Sequence, residues 1–318
     1  MGVTTVNQRG EAAVPEAPHD VSGWQRRLRE YKLMLRLLLR SPLAATGLII
    51  VLVYVGIVLY AQFLPGNDQM ATNFANTGPD PPFWWPGGGS AAGGLLGTTY
   101  PGIDLWDAII KAIRIDLIYS TFVVIIGAAI GALIGLYAGY RGGLFDEALM
   151  RITDITYSIP FLVFVIAVAF AFGKRDFLTV NTVLLILWWP PYARLVRAQT
   201  LSVKEIKFVE AARAAGASDG RIMLRHILPN TFAPVSVQIS LDLGTVTQIF
   251  AALNFIGFNS GNLFLPELGN LINIGWEHGF RSYPWTILMP GLALLIFTVA
   301  VNLLGDGLRD VLDPRLRR

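Results

Sequence analysis

The sequence predicts an all-α integral membrane protein with six transmembrane helices. Of its 318 residues, 53% are hydrophobic and only 15% are charged, and the mean hydropathy is +0.53. A soluble protein of this size would carry charge on about a quarter of its residues. The apolar residues gather in uncharged runs long enough to cross about 30 Å of hydrocarbon. The chain has no cysteine, which excludes disulfides and thiolate chemistry.

The first segments lead into one retained span. Residues 1–23 are polar and predict disorder. Residues 24–40 mix Leu and Met with basic residues, which is typical of an amphipathic helix on an anionic membrane face, although these charges could simply orient the first span. Ser41-Pro42 then starts a run of 21 uncharged residues, 43–63. The polar region before it is too long for a signal peptide.

A long Gly- and Pro-rich loop follows, residues 64–111, with adjacent Trp84 and Trp85. The two indoles could anchor the loop at the membrane interface, or they could be packed side chains of a surface loop.

The second span, 117–140, carries glycines at every fourth position. Because such a stripe lets another helix backbone approach closely, we interpret it as a packing seam rather than a substrate contact. The glycines are Gly127, Gly131, Gly135 and Gly139.

Four further spans complete the predicted bundle. The proline pair Pro190-Pro191 should break or kink the fourth of them. Two loops are also predicted: the short charged segment 141–154 and the segment 258–281. The spans are 155–172, 177–193, 231–257 and 282–305.

The basic residues fix the predicted orientation. With the N-terminus in the cytoplasm, 20 of the 25 Lys and Arg residues lie inside and five lie outside. This asymmetry obeys the positive-inside rule and places both termini in the cytoplasm. It also explains the pI near 9.2 without a nucleic-acid partner.

The longest polar break in the second half of the chain is Phe208–Asn230. Its charges exclude it from hydrocarbon. We expect a helix that Gly216 interrupts, then a short helix capped by Ser218 and Asp219 and limited by Pro229. On these grounds alone the segment could be a simple connector.

The spacing within this segment resembles the signature loop of permease subunits of ABC importers. The pattern is Glu-Ala-Ala, three residues, Gly, then Ile-Leu-Pro after ten more, with His226 at the family's usual Ile. The resemblance implies the type I ABC-importer permease fold and a coupling helix that docks into a cytoplasmic ATPase. The matching residues are Glu210, Ala211, Ala212, Gly216, Ile227, Leu228 and Pro229.

Two other segments extend the resemblance. The ending, residues 302–315, is similar to the C-type permease of dipeptide and oligopeptide importers, whereas residues 96–117 fit less well. We expect a cytoplasmic tail at 1–40, a first span with its extracytoplasmic loop at 41–116, a core permease domain at 117–306 and a cytoplasmic tail at 307–318. Departures from the family pattern fall at Thr99, Ile103, Asp107 and Asp116.

The resemblance implies a multi-pass protein of a prokaryotic plasma membrane that imports di- or oligopeptides. Implied partners are a second homologous permease subunit, two ABC ATPase subunits, an extracytoplasmic solute-binding protein and membrane lipids. Oligosaccharides or other small solutes are the alternative cargo. ATP and Mg would be held by the ATPases, since this chain has no GxxxxGK[ST] loop. No catalytic, cofactor or metal residues are predicted here, because the three histidines are far apart.

One acid lies well inside a predicted span. Asp242 should face a cavity, a partner or a polar neighbour, since a charge there costs about 2.5–3.5 kcal/mol on insertion scales. It could line a transport path or be a helix-packing acid. The family usually has Gly there and Glu at Phe250. Candidate path residues are Gln238, Asp242, Thr245 and Gln248.

Two other classes of protein compete with an importer subunit. An autonomous secondary transporter or channel would favour an internal inverted repeat and several intramembrane ionisable residues. The sequence has no evident repeat and one such acid. A membrane scaffold would not need the Glu-Ala-Ala…Gly loop.

Overall fold

The structure, a computed structural model, describes residues 36–64, 70, 78–86, 94–172, 177–258 and 264–312. The predictions for residues 1–35, 173–176 and 313–318 lie outside this part. Helices dominate it, with one two-stranded hairpin. The elements are α1 (Pro42–Ala61), β1 (Thr98–Thr99), β2 (Ile103–Asp104), α2 (Leu105–Arg141), α3 (Gly143–Ser158), α4 (Phe161–Phe172), α5 (Phe177–Val203), α6 (Lys207–Ala214), α7 (Asp219–Ile222), a π-helical turn (Met223–Ile227), α8 (Leu228–Phe255), α9 (Leu268–Glu277) and α10 (Trp285–Leu312).

The first helix begins as the sequence predicts. Ser41 is the N-cap of α1, and its hydroxyl accepts a hydrogen bond from the Ala44 N–H at 3.5 Å. Pro42 occupies the first turn, where a missing N–H costs nothing. Residues 36–40 are also helical.

The hairpin sets the start of the second helix. β1 and β2 pair antiparallel, with Thr98 opposite Asp104. The Asp104 carboxylate then accepts hydrogen bonds from the backbone of Trp106 at 2.8 Å and Asp107 at 3.1 Å. Because this cap lies on the hairpin, α2 begins at Leu105 rather than at the predicted Leu117.

The glycine stripe of α2 packs against α5. An added Cβ at Gly131 would lie 2.6 Å from the Tyr192 Cβ, and one at Gly135 would lie 2.9 Å from the Arg197 N. Real Cβ contacts are longer than this, so only glycine permits the observed approach. The predicted packing seam is present between these two helices.

Three predicted irregular segments are helical instead. Residues 141–154 form most of α3, because Gly142 and Gly143, both with positive φ, turn the chain and the following residues favour a helix. The interval 258–281 contains α9, whose N-cap is Glu267. The pair Pro190-Pro191 lies inside α5, which continues through it, because the neighbouring Tyr192 is buried against α2.

A true break occurs at Ile159-Pro160, between α3 and α4. Ile159 has an extended backbone, as expected of a residue before proline. The predicted third span therefore divides, and its described apolar helix α4 has 12 residues.

Four stretches of the described chain are long and apolar enough to cross a membrane: α1, α2, the continuous stretch Asp219–Phe255, and α10. Two apolar clusters join them. One lies between α2, α5 and α8, around Val124, Leu184 and Phe250. The other joins α1, the start of α2, α9 and α10. The tryptophan pair belongs partly to the second cluster: Trp85 packs edge-on against Trp285, whereas Trp84 is half exposed.

Candidate functional site: a protruding helix and an acid-lined cavity

A short polar helix, α6, projects from the apolar bundle. Its one buried residue is Val209, which packs into the cluster between α2, α5 and α8. Ala212 is half-buried against the same cluster, whereas Glu210 and Ala211 are exposed. The helix is therefore anchored along one narrow side and presents the other side to its surroundings.

The turn after α6 depends on Gly216. Its φ of +79° lies in the left-handed region that glycine favours. The Ala217 N–H donates to the Ala212 carbonyl at 3.1 Å, and the Gly216 N–H donates to the Arg213 carbonyl at 3.0 Å. This pair of bonds is the Schellman motif, which satisfies the last carbonyls of a helix. The glycine predicted to interrupt the helix thus ends it in a defined geometry.

Apolar side chains are exposed around this polar segment. The exposed fractions are 45% for Ile206, 41% for Phe208 and 57% for Leu224. Phe208 and the His226 ring approach to 6.5 Å between centroids. Since these residues belong to a charged region rather than to an apolar span, their exposure indicates a surface for another protein.

Polar contacts join the protruding segment to the C-terminal end of α2. The Tyr140 hydroxyl donates to the Asp219 carboxylate at 2.7 Å, and Arg141 lies 3.8 Å from the same carboxylate. On the other side, the Lys204 ammonium donates to the Gly139 carbonyl at 3.1 Å. These contacts hold both ends of the protruding segment against one helix.

A second ionic contact braces α3 against α5. The Arg197 guanidinium donates two hydrogen bonds to the Asp146 carboxylate, at 2.5 and 2.6 Å. These bonds hold the pKa of Asp146 below its ordinary value, against a smaller opposing effect of burial. The bidentate geometry fixes the angle at which α3 meets α5.

The Ile-Leu-Pro part of the signature lies elsewhere than the protruding surface. Ile227 is fully buried, and Leu228 and Pro229 form the first turn of α8. Pro229 does not limit the second short helix, which is a correction to the sequence prediction. The π-helical turn before it leads straight into α8, and the Asn230 amide donates to the His226 carbonyl at 2.6 Å. A widened turn with a side-chain donor tolerates the missing proline N–H.

Asp242 faces both a cavity and polar neighbours, two of the three surroundings that the sequence predicted for it. Asp242 is 7% exposed and lines a cavity of about 500 Å³ between the Ile159-Pro160 break, α5 and α8. Its carboxylate accepts hydrogen bonds from the Trp188 indole at 3.1 Å and the Gln238 amide at 2.8 Å.

Only two of the other three candidate path residues lie in the cavity wall. Gln238 and Thr245 line the same cavity as Asp242. Gln248 is exposed on α8 and is not part of the cavity wall. Within the described residues, no group of three or more His, Asp or Glu side chains converges as metal ligands would.

Sequence reasoning missed a second acidic site. Asp116 of α2 and Glu267 at the start of α9 are both fully buried, and their carboxyls are close enough to interact electrostatically. Burial raises the pKa of Glu267 to about 8. The Glu267 carboxyl also accepts from the Asn270 N–H at 2.7 Å, and Asp116 from the Leu268 N–H at 3.3 Å. The departure of Asp116 from the family pattern was the available signal.

Long apolar helices around a protruding polar segment define the class: a multi-pass protein of the plasma membrane. Residues 131–318 match the family described as the binding-protein-dependent transport system inner membrane component, and the chain belongs to this family. The resemblance found in the signature loop is thereby confirmed.

Curated relatives resemble nearly the whole chain. The dipeptide transport system permease protein DppC of Alkalihalophilus pseudofirmus is 32% identical over 299 residues, 93% of this chain and 91% of the relative. The glutathione transport system permease protein GsiD of Pectobacterium atrosepticum is 34% identical over 287 residues, 89% and 90% of the two chains. These names place the chain among the permease subunits rather than among the ATPases.

A solved structure supports the fold. The inward-facing MetNI methionine ABC transporter matches with a TM-score of 0.51 and 21% identity, over 65% of this chain and 97% of the matched chain. At this identity the likeness shows the shared fold alone.

Proposed function

We propose that this chain is one of two permease subunits in an ATP-driven importer, and that it carries di- or oligopeptides delivered by a solute-binding protein. The observation that carries this proposal is α6, a short helix anchored by Val209 and closed by the Gly216 turn, with its outer side unoccupied by the chain's own described residues. The printed names of the relatives supply the peptide class.

In this proposal α6 is the coupling helix and seats in a groove of a cytoplasmic ATPase. Ala211 is small and exposed, which allows close seating. The exposed apolar side chains of Ile206, Phe208 and Leu224 would lose contact with water in the complex. Glu210 is exposed on the same helix and available to a polar partner.

The proposed topology has six spans and both termini in the cytoplasm. The interrupted stretch α3–α4 and the helix α5 supply the third and fourth crossings, in addition to the four apolar stretches. In this orientation α6 lies on the cytoplasmic side and α9 on the opposite side. The excess of Lys and Arg on the cytoplasmic side supports it.

The proposed partners are a homologous permease, two ATPase subunits that hold ATP and Mg, and an extracytoplasmic solute-binding protein. ATP binding would draw the coupling helices together and reorient the spans around a central path. Gln238, Asp242 and Thr245 line that path, since they share one cavity wall. We include Gln248, which is exposed on the same helix, as a contact toward the second permease.

Substitutions on α6 test the coupling role without touching the membrane spans. Ala211→Trp should obstruct seating in the ATPase groove at a cost of about 1–3 kcal/mol. Ala211→Ser is the matched control, since it keeps the side chain small. Ala212→Trp is a poorer probe than Ala211→Trp, because Ala212 already packs against the chain's own core. The measurements are the membrane level of this chain, co-purification of the ATPase, and ATP hydrolysis stimulated by the loaded binding protein.

The turn offers a second matched pair. Gly216→Val should strain the positive-φ turn, whereas Gly220→Val sits in α7 at an ordinary φ with open space around it. We expect normal membrane levels for all four variants, with stimulation lost only in Ala211→Trp and Gly216→Val. If both of these respond to the loaded binding protein like the parent, α6 is not the coupling element.

A further inference from the structure

The cavity beside Asp242 combines a carboxyl side chain with an absence of basic residues. None of its lining residues is Lys, Arg or His. Asp242 takes part in none of the ion pairs found within the described chain. The nearby Arg194 stacks over the Tyr157 ring at 4.9 Å and is paired with Asp154 at 2.6 Å, so its charge is already engaged.

The hydrogen bonds of Asp242 suit a carboxylate rather than a protonated acid. The Trp188 indole can only donate, so the oxygen it contacts must accept. The Gln238 amide nitrogen donates to the other oxygen. Both oxygens therefore act as acceptors in these two contacts, and the buried Tyr192 hydroxyl lies close to the same carboxyl. Each oxygen keeps a further lone pair for a group entering the cavity.

The opposite wall of the cavity is the break at Ile159 and Pro160, where α3 ends and α4 begins. The C-terminal end of α3 brings partial negative charge to this wall and the N-terminal end of α4 brings partial positive charge, so the wall adds no strong counter-charge to Asp242. The Thr156 and Ser158 side chains supply hydroxyls at the same wall. Unwound backbone at membrane depth is tolerated where it lines a cavity of this kind.

Aromatic side chains complete the site. Phe161 and Trp188 meet edge to face, with centroids 6.0 Å apart, and both line the cavity. The faces of aromatic rings attract cations when water is excluded. A carboxylate, side-chain hydroxyls and aromatic rings thus surround one space of about 500 Å³.

We propose that this cavity is a transit site for the protonated amine of the solute, with Asp242 as its counter-charge. The inference rests on the proposed importer function and narrows its cargo to solutes that carry an ammonium group. A peptide offers two sources of that group, the N-terminal amine and a lysine side chain. Release follows when movement of α8 separates Asp242 from the α3 wall, which divides the site into two halves.

The test measures binding to the assembled complex in lipid nanodiscs without the solute-binding protein, so that the specificity of that protein does not enter. Three probes, each with an amidated C-terminus, are compared by saturation-transfer NMR: Ala-Ala, N-acetyl-Ala-Lys and N-acetyl-Ala-Ala. The first two carry one ammonium group each at different places, and the third carries none. We expect the amine probes to bind and the neutral probe to bind at least about tenfold more weakly.

Variants assign the binding to this cavity. Asp242→Asn keeps the shape and should reduce amine binding to the level of the neutral probe. Asp306→Asn, the same change at an exposed acid of α10 outside the cavity wall, should leave it unchanged. Equal binding of all three probes, or unchanged amine binding in Asp242→Asn, overturns the inference. A preference for Ala-Ala over N-acetyl-Ala-Lys would assign the site to the N-terminal amine, and the reverse preference to the side chain.

A separate assay keeps this inference apart from the importer function. The complete complex with its binding protein is reconstituted in liposomes, and ATP-dependent uptake of Ala-Ala is measured for the parent. If the parent takes up Ala-Ala but all three probes bind equally in the NMR assay, the amine site is rejected and the importer function stands. No ATP-dependent uptake of any peptide or sugar tested rejects the importer function itself.

Discussion

The glycine seam between α2 and α5 gives the most quantitative prediction. In Gly135→Ala the new Cβ would lie 2.9 Å from the Arg197 N and 3.0 Å from the Ala193 carbonyl carbon. Both neighbours are backbone atoms, which cannot rotate away. The Ala193 carbonyl oxygen lies closer still, so restoring ordinary van der Waals contact requires the two helices to part by about 1 Å. A gap of this size removes about a quarter to a half of the dispersion energy of the contacts it opens.

We therefore expect Gly135→Ala to destabilise the protein by about 1–3 kcal/mol relative to a glycine in open space. The control is Gly56→Ala on α1, where an added Cβ meets nothing within 4 Å. Both changes gain the same helix propensity, about 1 kcal/mol, so their difference isolates the seam. Unfolding is followed by denaturant titration of the purified complex in detergent.

The double variant sharpens the test. Once Gly131→Ala has moved α5 away, Gly135→Ala meets less resistance, so the combined loss should be smaller than the sum. The reasoning is refuted if Gly135→Ala is as stable as Gly56→Ala. If the stability losses of the two seam substitutions simply add, each glycine is still in tight contact, but the two substitutions do not act through a shared displacement of α5.

Two further predictions concern topology and pH. Because the chain has no cysteine, single cysteines at Leu224 and Glu277, both exposed, can be labelled without background. An impermeant maleimide on intact cells should label the second and not the first, and the opposite result excludes the proposed orientation. Burial raises the pKa of Glu267 to about 8, so the folded state keeps a proton that the unfolded chain releases. Stability should be fully present below about pH 4.5 and decline as the pH rises through 8, whereas Glu267→Gln, which leaves the buried Asp116 in place, should make this decline shallower. A parent protein whose melting temperature does not fall between pH 5 and 8 would contradict this.

Features governed by local sequence were predictable. The four-residue glycine period marks one face of a helix wherever that helix lies, so the seam could be read without knowing its partner. Gly216 was identified as a break because Ala-rich helix formers surround it. The expectation for Asp242 rested on the cost of a charge in hydrocarbon, and the structure places the residue beside a cavity.

Features that depend on distant contacts were not predictable. Asp116 and Glu267 are far apart in the chain, and Glu267 lies in what the sequence presents as a loop. The chain does not break at Pro190-Pro191, and Pro229 begins a helix instead of limiting one, since proline rules describe an isolated helix rather than one held by its neighbours. The polar composition of residues 141–154 predicted a loop instead of α3, because the sequence alone does not show that two acids of α3 form ion pairs with α5.

The π-helical turn makes one continuous rod of the short helix α7 and the long helix α8, from Asp219 to Phe255. Asp219 is linked to Tyr140 at one end of this rod, and Asp242 lies near its middle. At 1.5 Å per residue the two acids are about 35 Å apart along the axis, so a tilt of roughly 5° about Asp219 displaces Asp242 by about 3 Å. That displacement exceeds the length tolerance of a hydrogen bond. A small mechanical input at the Asp219 end of the rod is therefore geometrically amplified into making or breaking a polar contact near its middle.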